Sequence, residues 1–186
     1  MTAGATLGNF ADGPALRDTL AARGLDEFVA VRKSAALARC RDRMREADLP
    51  DRAPACAFLV PGRIEVLGKH TDYAGGRSLL ACAEQGFALL AAPRQDNRVR
   101  LWPVEGNAPC EFAIGPGLSP AAGHWSNYPM TVARRLARNF PPRLNGADIA
   151  LASDLPPAAG MSSSSAFMVA TFLALSAVND LPARDE

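Results

Sequence analysis

The chain has 186 residues, of which 48% are hydrophobic and 21% charged, so it is long enough to bury one sizeable core. Its formal net charge of +1 excludes a strong global attraction to nucleic acid or to an anionic membrane. The first residues lack the basic start and apolar run of a signal peptide, and the apolar stretch at residues 166–178 is too short to span a bilayer. We therefore expect a cytoplasmic protein with no nucleic-acid or membrane partner.

The cysteines form no pattern that indicates a disulfide framework or a metal site. None belongs to a C-x-x-C pair, and neither histidine stands at metal-ligand spacing from them. We interpret them as buried free thiols in a reducing compartment, which agrees with a cytoplasmic location. They are Cys40, Cys56, Cys82 and Cys110.

The first predicted element is a helix over residues 14–48, where Ala, Leu, Arg and Glu dominate. Basic residues cluster from Arg32 to Arg45, and we interpret this run as a solvated helix face and not as an anion-binding patch. Prolines within residues 49–55 end the helix. The sequence thus predicts an N-terminal helical extension over residues 1–50 and a main domain over residues 51–186.

Strand-like runs follow in quick succession. The last two of these runs, residues 87–92 and 98–104, flank residues 93–97, and this arrangement predicts a hairpin. Residues 105–123 are rich in Gly, Pro and Ala and predict a loop that holds one short strand at residues 111–114. The runs are residues 57–60, 63–67, 78–83, 87–92 and 98–104.

The remaining elements are a helix, a strand and a second helix. The helix spans residues 129–140, because Pro129 suits a first helical turn and two prolines follow Phe140. The strand spans residues 147–152. The second helix runs to about residue 178 and is apolar on nearly every face, so we expect it to be buried. Since strands and helices do not alternate regularly, we favour an α+β fold over a doubly wound sheet.

Residues 155–166, LPPAAGMSSSSA, stand between the last strand and the apolar helix. A helix start has unpaired N–H groups and partial positive charge, and serine hydroxyls add donors, so this segment suits phosphate. An ordinary N-cap before a core helix is the alternative, although one serine suffices for that. A nucleophilic serine is disfavoured, because G-M-S-S-S does not complete G-x-S-x-G.

Residues 61–76 carry charged and polar side chains between glycines, a composition that suits a polyhydroxyl ligand. The segment looks like a Walker A loop, but five residues separate Gly62 from Gly68 where that motif has four, and Lys69 precedes His70 and not Ser or Thr. A turn with solvated charges is the remaining alternative.

Together these segments resemble the GHMP kinase superfamily, and galactokinases in particular. The galactokinase signature Gly-Arg-x-Asn-aliphatic-aliphatic-Gly-acid-His-x-Asp-Tyr corresponds to G-R-I-E-V-L-G-K-H-T-D-Y at residues 62–73. The second motif, Pro-x-x-x-Gly-Leu-Ser-Ser-Ser-Ala-Ala, corresponds to P-P-A-A-G-M-S-S-S-S-A at residues 156–166. A weaker match, W-S-N-Y, stands at residues 125–128, and the resemblance extends over about residues 57–180.

The resemblance implies the amino-terminal lobe of these kinases, related to the second domain of ribosomal protein S5, over residues 51–186. It implies transfer of the γ-phosphate of ATP to a sugar hydroxyl with Mg²⁺ as a cofactor, and Arg63 as the catalytic residue beside the phosphoryl group. Trp125 and Tyr128 would lie near the nucleotide, and Ser164 would also ligate magnesium. The phosphate-binding residues would be Gly160, Ser162, Ser163 and Ser164, and the sugar-binding residues Lys69, His70 and Asp72.

The sequence departs from the galactokinase pattern at two positions. Lys69 replaces an acid that contacts the sugar in galactokinases, and Glu65 replaces an asparagine. The exchange at Lys69 reverses the charge, so a sugar acid such as a uronic acid is an alternative substrate. A non-catalytic, galactokinase-like sensor of sugar and ATP is a second alternative.

The catalytic aspartate of the family lies in a Met-Asp-Gln segment well after the serine motif, and no such segment precedes Glu186. We therefore expect the chain to be an incomplete fragment that is inactive alone. Without the rest of the kinase, the fragment would expose apolar surface, and we expect this surface to favour self-association.

Overall fold

The structure is a computed structural model that describes residues 4–68, 71–120, 122–140, 143–156 and 160–181, without the side chain of Asp72. Helices cover both faces of one mixed sheet, which confirms the predicted α+β fold class. The helices are α1 (Pro14–Ala21), α2 (Glu27–Glu46), α3 (Asn127–Asn139) and α4 (Ser163–Val178). The strands are β1 (Cys56–Leu67), β2 (Leu79–Pro93), β3 (Arg98–Pro103), β4 (Cys110–Ala113) and β5 (Ala147–Ser153), and short 3-10 helices span Leu7–Phe10 and Asp72–Ala74.

The strand order is β1-β2-β5-β3-β4, so the predicted hairpin between β2 and β3 is wrong. β5 inserts between them and pairs antiparallel with β2 and parallel with β3. Leu151 of β5 lies opposite Leu89 of β2, while Ile149 lies opposite Leu101 of β3. β5 is buried on both faces along nearly its whole length, and such a strand takes a central place in a sheet.

The first four predicted strands merge into two long ones. Runs 57–60 and 63–67 form β1, and runs 78–83 and 87–92 form β2. Pro61 lies opposite Gly86, and the register shifts between Pro61 and Arg63, so the turn-forming residues are absorbed in a bulge. β1 tolerates Pro61 because it is an edge strand, where a missing N–H breaks no central ladder.

The predicted helix over residues 14–48 is two helices. Gly24 adopts φ 93°, outside the helical region, and ends the first segment after α1. Asp26 then caps α2, because its side chain accepts a hydrogen bond from the Val29 N–H at 2.9 Å. Helix α2 packs on the sheet and α1 packs on α2. The predicted division of the chain at residue 50 remains a prediction.

Alternate residues of the central strands face opposite helical layers. One layer is formed by α3 and α4, and the sheet side chains against it include Leu89, Leu101, Ile149 and Leu151. The other layer is formed by α1 and α2, and the sheet contributes mainly small side chains to it: Ala88, Leu90, Ala92, Ala150 and Ala152. The alanines allow α2 to approach the sheet closely, which brings polar groups of α2 within reach of strand ends.

Two of the sequence expectations on burial need correction. Helix α4 is not buried on every face, since Val169 and Phe172 are 48% and 45% exposed beside an apolar groove of about 450 Å³ between α3 and α4. Of the cysteines only Cys40 is fully buried, where burial raises its thiol pKa to about 12, and Cys82 is exposed. All four are free thiols, as expected. Self-association through the exposed apolar surface stays a prediction.

None of the helices in the described residues is both long enough and apolar enough to cross a membrane.

A buried ion cluster centres on Asp148 of β5, whose side chain is 8% exposed. Its Oδ1 accepts from Arg100 Nε at 2.6 Å and from Arg94 Nη1 at 3.0 Å. Arg94 also donates to Asp96, and these hydrogen bonds hold the pKa of Asp96 well below its usual range. The cluster joins β5 to β3 and to the segment after β2, so it holds the central strand in place.

Asp148→Ala should lower the free energy of unfolding by about 2 kcal/mol, because it leaves two guanidinium groups without their buried carboxylate. Glu46→Ala is the matched control, since Glu46 pairs with Arg43 on the surface of α2 and its loss should cost less than about 0.5 kcal/mol. Urea unfolding followed by circular dichroism measures both, and equal losses would contradict the role given to Asp148.

Candidate active site

The serine segment turns into helix α4 through a left-handed residue. Ser162 adopts φ 53° and ψ 41°, and Gly160 before it has φ 69°. A left-handed non-glycine residue costs about 1 kcal/mol, and such strain is concentrated at functional sites. The Ser162 carbonyl accepts the Ala166 N–H at 3.0 Å, but its side chain makes no capping hydrogen bond. This geometry disfavours the ordinary N-cap interpretation and leaves the hydroxyls at the helix start available to a ligand.

A cleft of about 290 Å³ opens beside the start of α4. One wall is aromatic: the ring of Phe167 stacks with those of Phe87 and Trp125, at centroid distances of 5.3 and 6.1 Å, and meets the edge of Tyr128 at 6.5 Å. The cleft therefore joins an apolar, ring-lined wall to a helix N-terminus. Its polar lining comprises Ser163, Ser164, Ser153, Glu105 and Asn107.

The turn before α3 positions the tryptophan of this wall. Ser126 is 5% exposed, and its hydroxyl lies 2.7 Å from Nδ1 of His124. Helix α3 begins at Asn127. Trp125 lies two residues before it and Tyr128 directly after it, and both line the cleft. The structure thus brings Trp125 and Tyr128 together with Ser163 and Ser164, four of the residues predicted to bind nucleotide.

The two long sequence motifs contact each other through their backbones. The Arg63 N–H donates to the Met161 carbonyl at 3.0 Å, so β1 is bonded to the serine segment. Gly62 makes this approach feasible, because a Cβ there would lie 2.6 Å from Cδ2 of Leu155 and 3.0 Å from the Met161 oxygen. The side chain of Arg63 is exposed and is not among the groups that line the cleft.

A short loop connects β1 to β2 and carries the residues predicted to bind sugar. Thr71 Oγ1 donates to the Gly68 carbonyl at 2.8 Å, and the Gly76 N–H donates to the Thr71 carbonyl at 2.8 Å. Gly68 has φ 87°, and a Cβ there would overlap the Arg77 carbonyl, so only glycine fits. Lys69 and His70 lie outside the described residues, as does the side chain of Asp72.

Nothing in the sequence indicated the hydrogen bonds that hold Asp154, the residue just before the serine segment. Asp154 accepts from Lys33 Nζ at 2.8 Å through Oδ2, and from the Gly86 N–H at 2.7 Å through Oδ1. Burial raises the pKa of Asp154, but these two hydrogen bonds outweigh it, so the pKa lies below its ordinary value. Lys33 is only 6% exposed, so the interpretation of residues 32–45 as a solvated face is wrong at this residue.

The sequence also did not identify several residues of the cleft. Phe87 and Phe167 were assigned to a strand and to an apolar helix, because a hydrophobic pattern does not distinguish core from ligand wall. Glu105 and Asn107 lie in a loop, and the polarity of Ser153 at the end of β5 was the one signal available.

The residues that the structure describes offer few ligands for a metal ion. Among the described residues there is no group of three or more His, Cys, Asp or Glu side chains that could hold an ion. The cleft offers hydroxyls, of which Ser164 is the one singled out by the sequence.

Comparison with known proteins adds independent evidence. The profile of the GHMP kinases N terminal domain matches residues 127–186, and that of the galactokinase galactose-binding signature matches residues 49–93. Galactokinase of Actinobacillus pleuropneumoniae is 30% identical over 69% of this chain and 33% of its own length. Galactokinase of Chloroflexus aggregans is 36% identical over 68% of this chain and 33% of its own length. The chain thus spans about a third of the length of these relatives.

Solved structures agree on the fold. Lactococcus lactis galactokinase complexed with galactose superposes with a TM-score of 0.66 at 26% identity, covering 76% of this chain and 37% of that protein. Methanococcus jannaschii mevalonate kinase superposes with a TM-score of 0.57 at 16% identity, over 72% and 43% of the two chains, which supports the fold alone. The two motifs contact each other in the fold, and both lie within the family matches. The chain belongs to the GHMP kinase superfamily and is most like the amino-terminal portion of galactokinases.

Proposed function

We propose that the chain supplies the ATP-binding part of a galactokinase-like kinase that phosphorylates a sugar hydroxyl. The observation that carries this proposal is the cleft in which Trp125 and Tyr128 meet Ser163 and Ser164 at the start of α4. An aromatic wall beside a helix N-terminus suits a ligand with one flat ring system and one polyanionic end, as ATP has. A cytoplasmic location and a small-molecule sugar substrate accompany the proposal.

The two ends of the cleft would perform different tasks. The partial positive charge and free N–H groups at the start of α4 would neutralise phosphate oxygens, and the hydroxyls of Ser163 and Ser164 would donate to them. Gly160 and Ser162, with their left-handed backbones, would curve the chain around the same group. The rings of Trp125 and Tyr128 would hold the base.

Magnesium would be held mainly through the nucleotide. In the described residues the chain offers it the Ser164 hydroxyl and no cluster of acids. Oxygen ligands from phosphates and water commonly complete the shell of Mg²⁺, which would offset phosphate charge. Serine next to a phosphate-binding helix start is suited to this role.

Arg63 would act on the transferred phosphoryl group, and the loop after β1 would act on the sugar. Arg63 lies beside the serine segment, because its backbone N–H donates to the Met161 carbonyl. The guanidinium group of Arg63 would stabilise charge on the transferred group. We propose that Lys69, His70 and Asp72 bind the sugar, because they follow β1 directly in the sequence and lie within the match to the galactose-binding signature. Positioning and neutralisation, with no covalent intermediate, suffice for this chemistry.

Ser164→Ala should weaken ATP binding about tenfold, since a hydrogen bond to a charged group contributes about 1.5 kcal/mol or more. Ser165→Ala is the matched control, because Ser165 is exposed and does not line the cleft. Quenching of tryptophan fluorescence, assigned by its loss in Trp125→Phe, measures the affinity. An equal effect of both serine changes would contradict the proposed phosphate contact.

Gly62→Ala should also weaken ATP binding, because the added methyl group pushes β1 away from Leu155 and Met161. A loss of about 1–3 kcal/mol in folding stability should accompany it. Gly117→Ala is the control, since a Cβ at Gly117 meets nothing within 4 Å. Unaltered binding and stability in Gly62→Ala would mean that the contact between the motifs does not constrain the site.

A sugar acid is the second candidate substrate, favoured by the cation of Lys69 where galactokinases have an acid. We expect this chain to bind galacturonate about tenfold more tightly than galactose, because a charge-assisted bond adds about 1.5 kcal/mol. Isothermal titration measures both sugars, and Lys69→Glu should reverse the preference. Equal affinities would exclude a carboxylate contact and leave a neutral sugar as the substrate.

A further inference from the structure

We propose that Lys33 is a positioning residue for the phosphate-binding segment, which it controls from helix α2 through Asp154. The inference rests on the proposed nucleotide site and goes beyond it, because it assigns a role in that site to the N-terminal helices. Neither the serine motif nor the galactokinase signature contains Lys33 or α2.

The burial of Lys33 is the first part of the argument. Its side chain is 8% exposed, and a lysine in such a place needs a partner for its charge. Asp154 supplies that partner at 2.8 Å, so the packing of α2 here favours the position of Asp154 in which this ion pair forms.

Asp154 is in turn tied to β2. Its Oδ1 accepts the Gly86 N–H at 2.7 Å, and its own N–H donates to the Gly86 carbonyl at 3.2 Å. Asp154 follows the last residue of β5 and precedes the serine segment. The ion pair therefore fixes the point at which the chain leaves the sheet and starts toward the phosphate site.

The segment is held again at its far end by the bond between Arg63 N–H and the Met161 carbonyl. Between these two points Leu155 lies against Gly62, and Ser153, directly before Asp154, lines the cleft. Under the proposal, a change in the direction of Asp154 would alter where Ser162, Ser163 and Ser164 are presented.

Stability alone does not explain a charge at this place. Helix α2 already packs through buried apolar side chains such as Leu37, Cys40 and Met44. A buried ion pair often contributes no more to stability than apolar residues of similar size, whereas it does select one arrangement of its partners. The pair at Lys33 therefore has its main effect on position.

Lys33→Met should weaken binding of ATP to this chain about tenfold while changing adenosine binding less than about twofold, because only the phosphate side of the cleft is displaced. Lys33→Arg, which keeps the charge, should restore at least part of the loss. Arg45→Met is the control on the same helix, since Arg45 pairs with Asp51 at the surface and does not line the cleft, and it should bind ATP like the unaltered chain. Thermal unfolding followed by circular dichroism identifies a temperature at which all variants are folded. Lys33→Gln replaces Lys33→Met if the latter does not fold.

Hydrogen exchange provides a readout that does not need the nucleotide. Amides of residues 160–166 should exchange faster in Lys33→Met than in Arg45→Met, with little change in α3. Unaltered exchange there, unaltered ATP binding, or parallel losses for ATP and adenosine would each overturn the inference. Absence of ATP binding by the unaltered chain would instead overturn the proposed function, and the exchange data would still decide the role of Lys33.

Discussion

The backbone hydrogen bond between Arg63 and Met161 joins two parts of the chain that are far apart in sequence, and the geometry of the candidate site depends on it. It requires that β1 approach the serine segment more closely than any side chain at position 62 would permit. Because the bond uses backbone groups, it holds the segment without consuming a serine hydroxyl. Ser163 and Ser164 line the cleft, and the first N–H groups of α4 have no partners within the helix.

The cleft beside this bond is built from side chains that also stabilise the fold. Phe167 is buried and belongs to the core between the sheet and helices α3 and α4, yet its ring contacts Trp125 and Tyr128. A ligand wall that is continuous with the core has few alternative rotamers, so little ordering is needed when a flat ring binds. The left-handed backbone of Ser162 lies between two backbone hydrogen bonds, Arg63 N–H to the Met161 carbonyl and Ala166 N–H to the Ser162 carbonyl.

On the opposite face of the sheet, helix α2 contacts residues at the edge of the site. Small side chains such as Ala88 and Ala152 let α2 lie close to the sheet, and this closeness buries Lys33 next to the end of β5. Arg39 of the same helix pairs with Glu105, a residue of the cleft rim. Helix α2 is therefore in physical contact with the rim of the cleft.

The sequence by itself determined the features that depend on neighbouring residues: the helix start at the serines, most strand positions, the α+β class and the two family motifs. It did not determine that β5 lies between β2 and β3, that Gly24 divides the first helix, or that Lys33 is buried against Asp154. These features were decided by the tertiary structure, because strand order and the burial of a charge depend on which distant segments meet. A local pattern carries the propensity of its own segment, whereas the free energy of pairing β5 or burying Lys33 belongs to groups that are adjacent only after folding.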